Sequence, residues 1–227
     1  MDRWLQNGYR GVMSGNAQPE AGAPHRLTPK GRATRDRIVA AAAGLMFRQG
    51  VAGTTTEHVQ AAAGVSASQI FHYFRDKPAL VRAVIAYQTQ AVLDAQQPLL
   101  GRLDSMEALE AWCDQAVSIE RQLRYEGGCP IGSIGAELAE VDPVARQDVA
   151  AGFARWETAI RDGLRAMHER GDLRRDADPD TLALALLTAL QGGLLMTQIR
   201  RDPAPLQAVL AAMLAHIRSL APRRRTA

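Results

Sequence analysis

Three observations predict an all-α chain. From Thr34 onward apolar residues, mostly Ala and Leu, recur at helical spacing; the period-two alternation of half-buried strands is nearly absent; and glycines, Asp-Pro pairs and Ser, Thr or Asp caps cut the chain into helix-length pieces. The segmentation predicts a flexible tail over 1–27, a helix-turn-helix domain over 28–83, a larger helical domain over 84–221 and a short basic tail over 222–227. The first tail is rich in Gly, Pro, Asn and Gln without an apolar period, too little to offset the entropy of ordering it.

The elements follow in order. Ile38, Ala41, Ala42, Leu45 and Met46 make the buried stripe of a first helix that Gly50 ends. Thr54 or Thr55 caps a short second helix, with Glu57 placed to close a capping box from Thr54, and Gly64 stops it. Ser66 caps a third helix after the tight Ala63-Gly64-Val65 turn, which makes the pair a helix-turn-helix. Asp76, Lys77 and Pro78 open a fourth helix that runs to about Gln97. Further helices are predicted over Ser105–Tyr125, Ile131–Val141, from Asp142 or Pro143 to Arg170, Pro179–Arg200 and Pro203–Leu220, with a glycine-broken link at Glu126–Gly128.

Charge is unevenly placed along the 227 residues. Arg26–Arg82 carries nine Lys/Arg against three Asp/Glu, whereas Ala83–Ala227 carries sixteen against nineteen. A basic N-terminal third suits a polyanion, most economically nucleic acid, because Lys and Arg displace condensed counterions there. Two cysteines, Cys113 and Cys129, without metal-ligand spacing call for neither a disulfide framework nor a zinc site, and no cofactor is expected. No apolar run is read as approaching the roughly 18 residues of a membrane span, so the expectation is a cytoplasmic protein with no membrane partner.

On a third helix starting at Ser66, Ile70 and Phe74 share the inward face with Val65. Ala67, Ser68, Gln69, His72 and Tyr73 are left to form an outward surface suited to base edges and phosphates. Gln bridges adenine, Ser and Ala permit close approach, and Tyr and Lys77 reach phosphate oxygens. Thr55, Ser66 and Phe71 complete the expected DNA-contacting set.

The run from Thr34 to Ala83 resembles the DNA-binding domain of the tetracycline-repressor (TetR) family of bacterial transcriptional regulators. It does so through Ile38-Val39, Ala41-Ala42, Leu45-Met46, Gly50, Thr55, Val59, Ala63-Gly64-Val65-Ser66, Ile70-Phe71, Tyr73-Phe74, Lys77 and Leu80. It departs from the family at Phe71, where tyrosine is usual, at Gln60, where a small alanine is usual, at Ser68, where glycine or proline is common, and at His58, where an acidic residue is common. The resemblance implies a ligand-responsive regulator, most simply a repressor. It would bind a near-palindromic double-stranded DNA operator as a homodimer and release it when a small-molecule inducer enters the C-terminal domain.

The C-terminal sequence fits that expectation. Asp180–Arg200 is apolar nearly all round, so one side suits its own core and the other a partner. Leu184, Thr188 and Leu195 there, with Leu210, Met213, Leu214 and Ile217 on the last helix, are the expected dimer contacts. Trp112, Ile119, Cys129, Glu137, Phe153, Trp156 and Gln191 are the expected ligand contacts. The stretch Glu126–Glu140, EGGCPIGSIGAELAE, resembles a Cys-Pro-Ile-Gly segment of the LmrA/YxaF-like subgroup. Pro130 after Cys129 places the thiol near a helix N-terminus, where the dipole lowers its pKa, so a sensor of electrophiles or oxidants is the alternative regulatory reading. An enzyme using Cys129 needs a base such as His168 or His216 within reach, and the sequence carries no nucleophile elbow or phosphate loop; no catalytic residue is assigned.

Overall fold

The computed structural model describes residues 27–222, so the two expected tails, apart from Leu27 and Pro222, lie outside the described residues. Among the described residues there are nine α-helices and no strand. They are α1 (Pro29–Gln49), α2 (Thr56–Ala63), α3 (Ala67–Tyr73), α4 (Lys77–Ala95), α5 (Met106–Gln122), α6 (Pro130–Leu138), α7 (Pro143–Arg170), α8 (Pro179–Arg200) and α9 (Ala204–Ser219), with a 3-10 turn at Leu99–Arg102. Two compact units divide the chain: residues up to 88 with 134–148, and 89–133 with the chain from 149 on.

In the first unit α1 packs on α2 and α3, and α2 packs on α3. Ile38, Val39, Ala42, Val59, Ile70, Leu80 and Val84 fill the core between them. The first helix begins earlier than its apolar stripe. The Thr28 hydroxyl accepts the Gly31 N–H at 3.1 Å, and Pro29 supplies a first-turn residue whose missing N–H costs nothing. Gly64 ends α2 in a left-handed conformation (φ 61°, ψ 44°), which only glycine adopts without a Cβ penalty, and the chain turns directly into α3. Arg37 Nε donates to the Ala63 carbonyl at 2.8 Å and ties α1 to the end of α2.

The second unit is built on α8 against α9, with α5 packed on α9. Its core runs through Leu109, Trp112, Cys113, Trp156, Ile160, Leu164, Leu186, Leu190, Leu206, Leu210 and Ile217. Caps at Ser105 and Asp178 match their sequence signals: Ser105 Oγ accepts from Ala108 N–H at 3.1 Å and Asp178 Oδ1 from Asp180 N–H at 3.0 Å. The Thr181 hydroxyl, then the Asp180 N–H, hold the Asp178 carboxyl below its ordinary range.

One expectation fails on length and composition. Pro179–Arg200 is long and apolar enough to cross a membrane. Within this unit, Leu182, Ala183, Leu186, Leu187 and Leu190 of that helix face the core.

Candidate functional site

Helix α3 is pinned at both ends and presents one face. The Ser66 hydroxyl accepts the Gln69 N–H at 3.3 Å, the Gln69 Oε1 accepts the Ser66 N–H at 2.9 Å, and the Phe74 N–H returns to the Ile70 carbonyl at 2.8 Å. Ile70 is fully buried, so Ser68, Gln69, Phe71 and His72 point away from the core, and Phe71 leaves 45% of its surface exposed. Ala67 and Tyr73 are half-buried. The Tyr73 hydroxyl lies over Gly31 in the first turn of α1, beside exposed Lys30 and Arg32. The Tyr73 hydroxyl thus stands at the N-terminus of α1, whose first turn carries Lys30 and Arg32, the latter donating to the Leu27 carbonyl at 3.0 Å; hydroxyls, cations and helix N-termini are the groups that bind phosphate.

Three residues of the first unit take other roles than expected. Helix α2 is capped by Thr55, whose hydroxyl accepts the His58 N–H at 3.3 Å; His58, not Glu57, closes the box. The Thr55 N–H donates to His58 Nδ1 at 3.4 Å, and the Gln49 carboxamide nitrogen lies 2.9 Å from the same ring nitrogen. Lys77 is 2% exposed and its ammonium donates to the Thr54 carbonyl at 2.9 Å, across the turn between α1 and α2. Its stem crosses the core, so it braces that turn and is not presented to phosphate. Glu137, expected to line a ligand site, belongs to the first unit: its carboxylate accepts the Val51 and Ala52 N–H groups at 2.7 and 2.6 Å. Two consecutive backbone N–H groups make a better partner for a carboxylate than solvent does.

The other expected ligand residues lie in the second unit. Trp112 is fully buried and donates from Nε1 to Gln96 Oε1 at 2.9 Å, a satisfied core residue. Trp156 is buried with its Nε1 unpartnered, while Phe153 and Ile119 are half-buried. Gln191 and Cys129 stand together at the start of α6, where the Gly132 N–H reaches Cys129 Sγ at 3.4 Å. Burial pushes the Cys129 thiol up, against the smaller downward pull of the Gly132 and Ile131 N–H groups. Desolvation overrides the helix-terminus effect, so the thiol is held neutral and the reactive-thiolate expectation is reversed. Cys113, deeper in the core, is pushed up to about 12 by burial. The sequence reading missed Glu120, a buried carboxyl on α5. Two open grooves of about 450 and 490 Å³ also mark this unit, along Gln90, Asp94, Gln97 and Arg155 and along Gly101, Arg102, Asp104 and Asp162; none of the expected ligand residues lines either.

On the outer side of α8, Leu184, Leu195, Met196 and Ile199 are 54%, 55%, 40% and 66% exposed, with Thr188 on the same face. Helix α9 exposes Ala208, Ala211, Ala212 and Ala215. Of the expected dimer contacts on α9, Leu210 and Ile217 are instead buried within their own unit, and Met213 and Leu214 are half-buried. The larger apolar side chains of α9 went inward, and its outer face carries alanines between polar residues such as Gln207 and His216.

A capped helix-turn-helix head joined to a second helical unit defines a two-part DNA-binding regulator. The model for bacterial regulatory proteins of the tetR family matches residues 38–84, and that for the tetracyclin repressor-like C-terminal domain matches residues 105–213. The chain belongs to the TetR family of transcriptional regulators, which are not enzymes. Members of this family bind DNA and act as dimers with small-molecule ligands. The chain is 26% identical over 178 residues to the HTH-type transcriptional repressor DhaR of Mycobacterium sp. (strain GP1), covering 78% of this chain and 88% of that protein. A crystal structure of a TetR transcriptional regulator from Chloroflexus aurantiacus J-10-fl superposes with a TM-score of 0.75 at 28% identity, covering 86% of this chain and 98% of that one. An uncharacterized regulator, YxaF of Bacillus subtilis (strain 168), is 22% identical over 175 residues, 76% of this chain and 89% of that protein; this is a weak hint of the expected subgroup.

Proposed function

We propose that this protein is a cytoplasmic, homodimeric repressor that reads a near-palindromic operator with α3 and releases it when a small molecule binds the second unit. The observation that carries the reading is the outward face of α3. Ser68, Gln69, Phe71 and His72 are exposed on a helix whose two ends are both pinned and whose Ile70 is locked in the core. Such a face costs solubility if it serves nothing, and it suits a major groove: amide and hydroxyl for base edges, phenyl for a thymine methyl. Tyr73, Lys30 and Arg32 supply phosphate contacts, while Thr55 and Ser66 act mainly through their caps.

Dimerisation is supported by the exposed ridge of Leu184, Leu195, Met196 and Ile199 on α8, beside the alanine face of α9. Large side chains against small ones, repeated by a two-fold axis, allow close helix packing, and an apolar ridge of this kind is rarely left in water. Residues 28–83 are read as the DNA-binding domain and 84–221 as the ligand-binding and dimerisation domain. Selection of bound sequences from a random duplex pool at about 0.15 M salt tests the reading. It expects an enriched inverted repeat with half-sites about 34 Å apart or more; binding without any enriched sequence refutes it.

A further inference from the structure

Leu109, Cys113, Ala116 and Glu120 succeed one another at helical spacing along α5, so Glu120 stands where the buried stripe calls for an apolar side chain. It is 4% exposed, its Oε2 has no hydrogen-bond partner and it joins no ion pair among the described residues. Burial alone raises this carboxyl above the ordinary glutamate range; no neighbouring cation acts on it. It lies within electrostatic reach of the Cys129 sulfur, and the Gln191 carboxamide from α8 stands against the same thiol with its Nε2 buried and unpartnered. The link between α5 and α6 keeps these groups together through left-handed Arg124 and Tyr125 (φ 55° and 60°) and positive-φ Gly127 and Gly128. Arg201 grips this link by donating to the Tyr125 carbonyl at 2.7 Å, so its guanidinium is engaged there.

A buried carboxyl without a partner destabilises a fold, and an apolar side chain of similar size would serve the stripe better. Ala116 and Val117, one turn before it on α5, and Cys129, with which it interacts, all pack against the apolar core of the unit. We propose that Glu120, with Gln191 beside it, is the polar end of a binding site for a hydrophobic organic cation: an ammonium carried on an apolar body. The cation supplies the missing counter-charge, Glu120 gives up its proton to solvent as the ligand enters, and the apolar body joins the core. Carboxylate and phosphate ligands are disfavoured, since this cluster offers a carboxyl, a neutral thiol and an amide but no cation. The proposal rests on the ligand-responsive reading and names the chemistry of that ligand.

The test uses three probes sharing one body, phenylbutylamine (protonated at neutral pH), phenylbutanol and phenylbutyrate, titrated calorimetrically into the full chain without DNA. Wild-type protein is expected to bind the ammonium about tenfold tighter than the alcohol or the carboxylate, or more, and Glu120→Gln, which keeps shape and polarity, to lose that preference. Glu120→Leu is a second variant, expected to raise Tm by filling the stripe while abolishing the same preference. Equal binding of the three heads, binding of none, or a preference surviving in either variant overturns the assignment. Operator selection needs no probe and the titration needs no DNA, so failure of this site and failure of the regulator reading are seen separately.

Discussion

Replacing Lys77 by Met separates two roles that one lysine in a DNA-binding head can have. The ammonium is buried with a side chain 2% exposed, and it donates at 2.9 Å to the carbonyl of Thr54, itself fully buried. Methionine keeps most of the stem and removes the donor, so the loss is a charge-assisted hydrogen bond plus a buried carbonyl left unmet, about 2–3 kcal/mol. For a chain of this length that is a fall in Tm of about 4–12 °C. The same turn is held by Glu137 on Val51 and Ala52 and by the Thr54 hydroxyl on the Gly50 carbonyl at 2.8 Å, so it loosens without dissolving. Thermal melts report the stability loss. Operator titrations over a range of salt report the other role, because a phosphate-contacting lysine contributes close to one unit of the log-log slope. The expected result is a lowered Tm with an unchanged slope. An unchanged Tm with a slope reduced by about one would show that Lys77 reaches DNA and that its burial was misjudged.

Further outcomes follow from other named contacts. Gln69→Ala removes a base-reading amide and half of the Ser66 box, so operator affinity falls by about 1–3 kcal/mol with relaxed base preference, while stability falls by ~1 kcal/mol or less; gel-shift titrations and melts measure the two. Leu195→Asp places a charge at the centre of the exposed α8 ridge and is expected to raise the dimer dissociation constant about a hundredfold or more in sedimentation equilibrium. At Gly163 an added Cβ would meet the Leu103 backbone carbonyl and lie 2.8 Å from the Leu103 Cβ. Gly163→Ala therefore costs about 1–3 kcal/mol in denaturant melts. Glu120 has a folded pKa above its unfolded one, so its folded state binds more protons, and its contribution is fully present below the ordinary glutamate value and lost as pH rises through the raised one. Wild type should lose stability relative to Glu120→Leu across that window, in urea melts at successive pH values.

Much of the fold was legible because local chemistry and tertiary packing agree. Ser66, Asp76, Ser105 and Asp178 cap the helices their sequence signals announced. Gly64 was readable for the same reason, since a left-handed turn between two short helices leaves few alternatives to glycine. The misreadings occur where two residues compete or where a side chain travels far. Thr54 and Thr55 are both able caps, and only the core burial of Thr54 hands the cap to Thr55 and the box to His58. A lysine and a glutamate are assigned to solvent or to ligand by default, yet Lys77 and Glu137 both end on backbone of the turn after α1, partners that sequence spacing does not reveal. Glu120 carried a readable signal, its place on the Leu109, Cys113, Ala116 stripe, but spacing alone does not show that a carboxyl on such a stripe is buried. Leu210 and Ile217 were assigned outward because the stripe on α9 shows its period but not whether its own unit or a partner covers it.

The most direct measurement of the central claim is the mass of the protein bound to its selected duplex, by sedimentation or native mass spectrometry, compared with a duplex carrying one half-site. A two-fold reader predicts two chains of 24.6 kDa on each inverted repeat and a steep loss of affinity on the half-site. One chain per duplex, or equal affinity for the half-site, would contradict it.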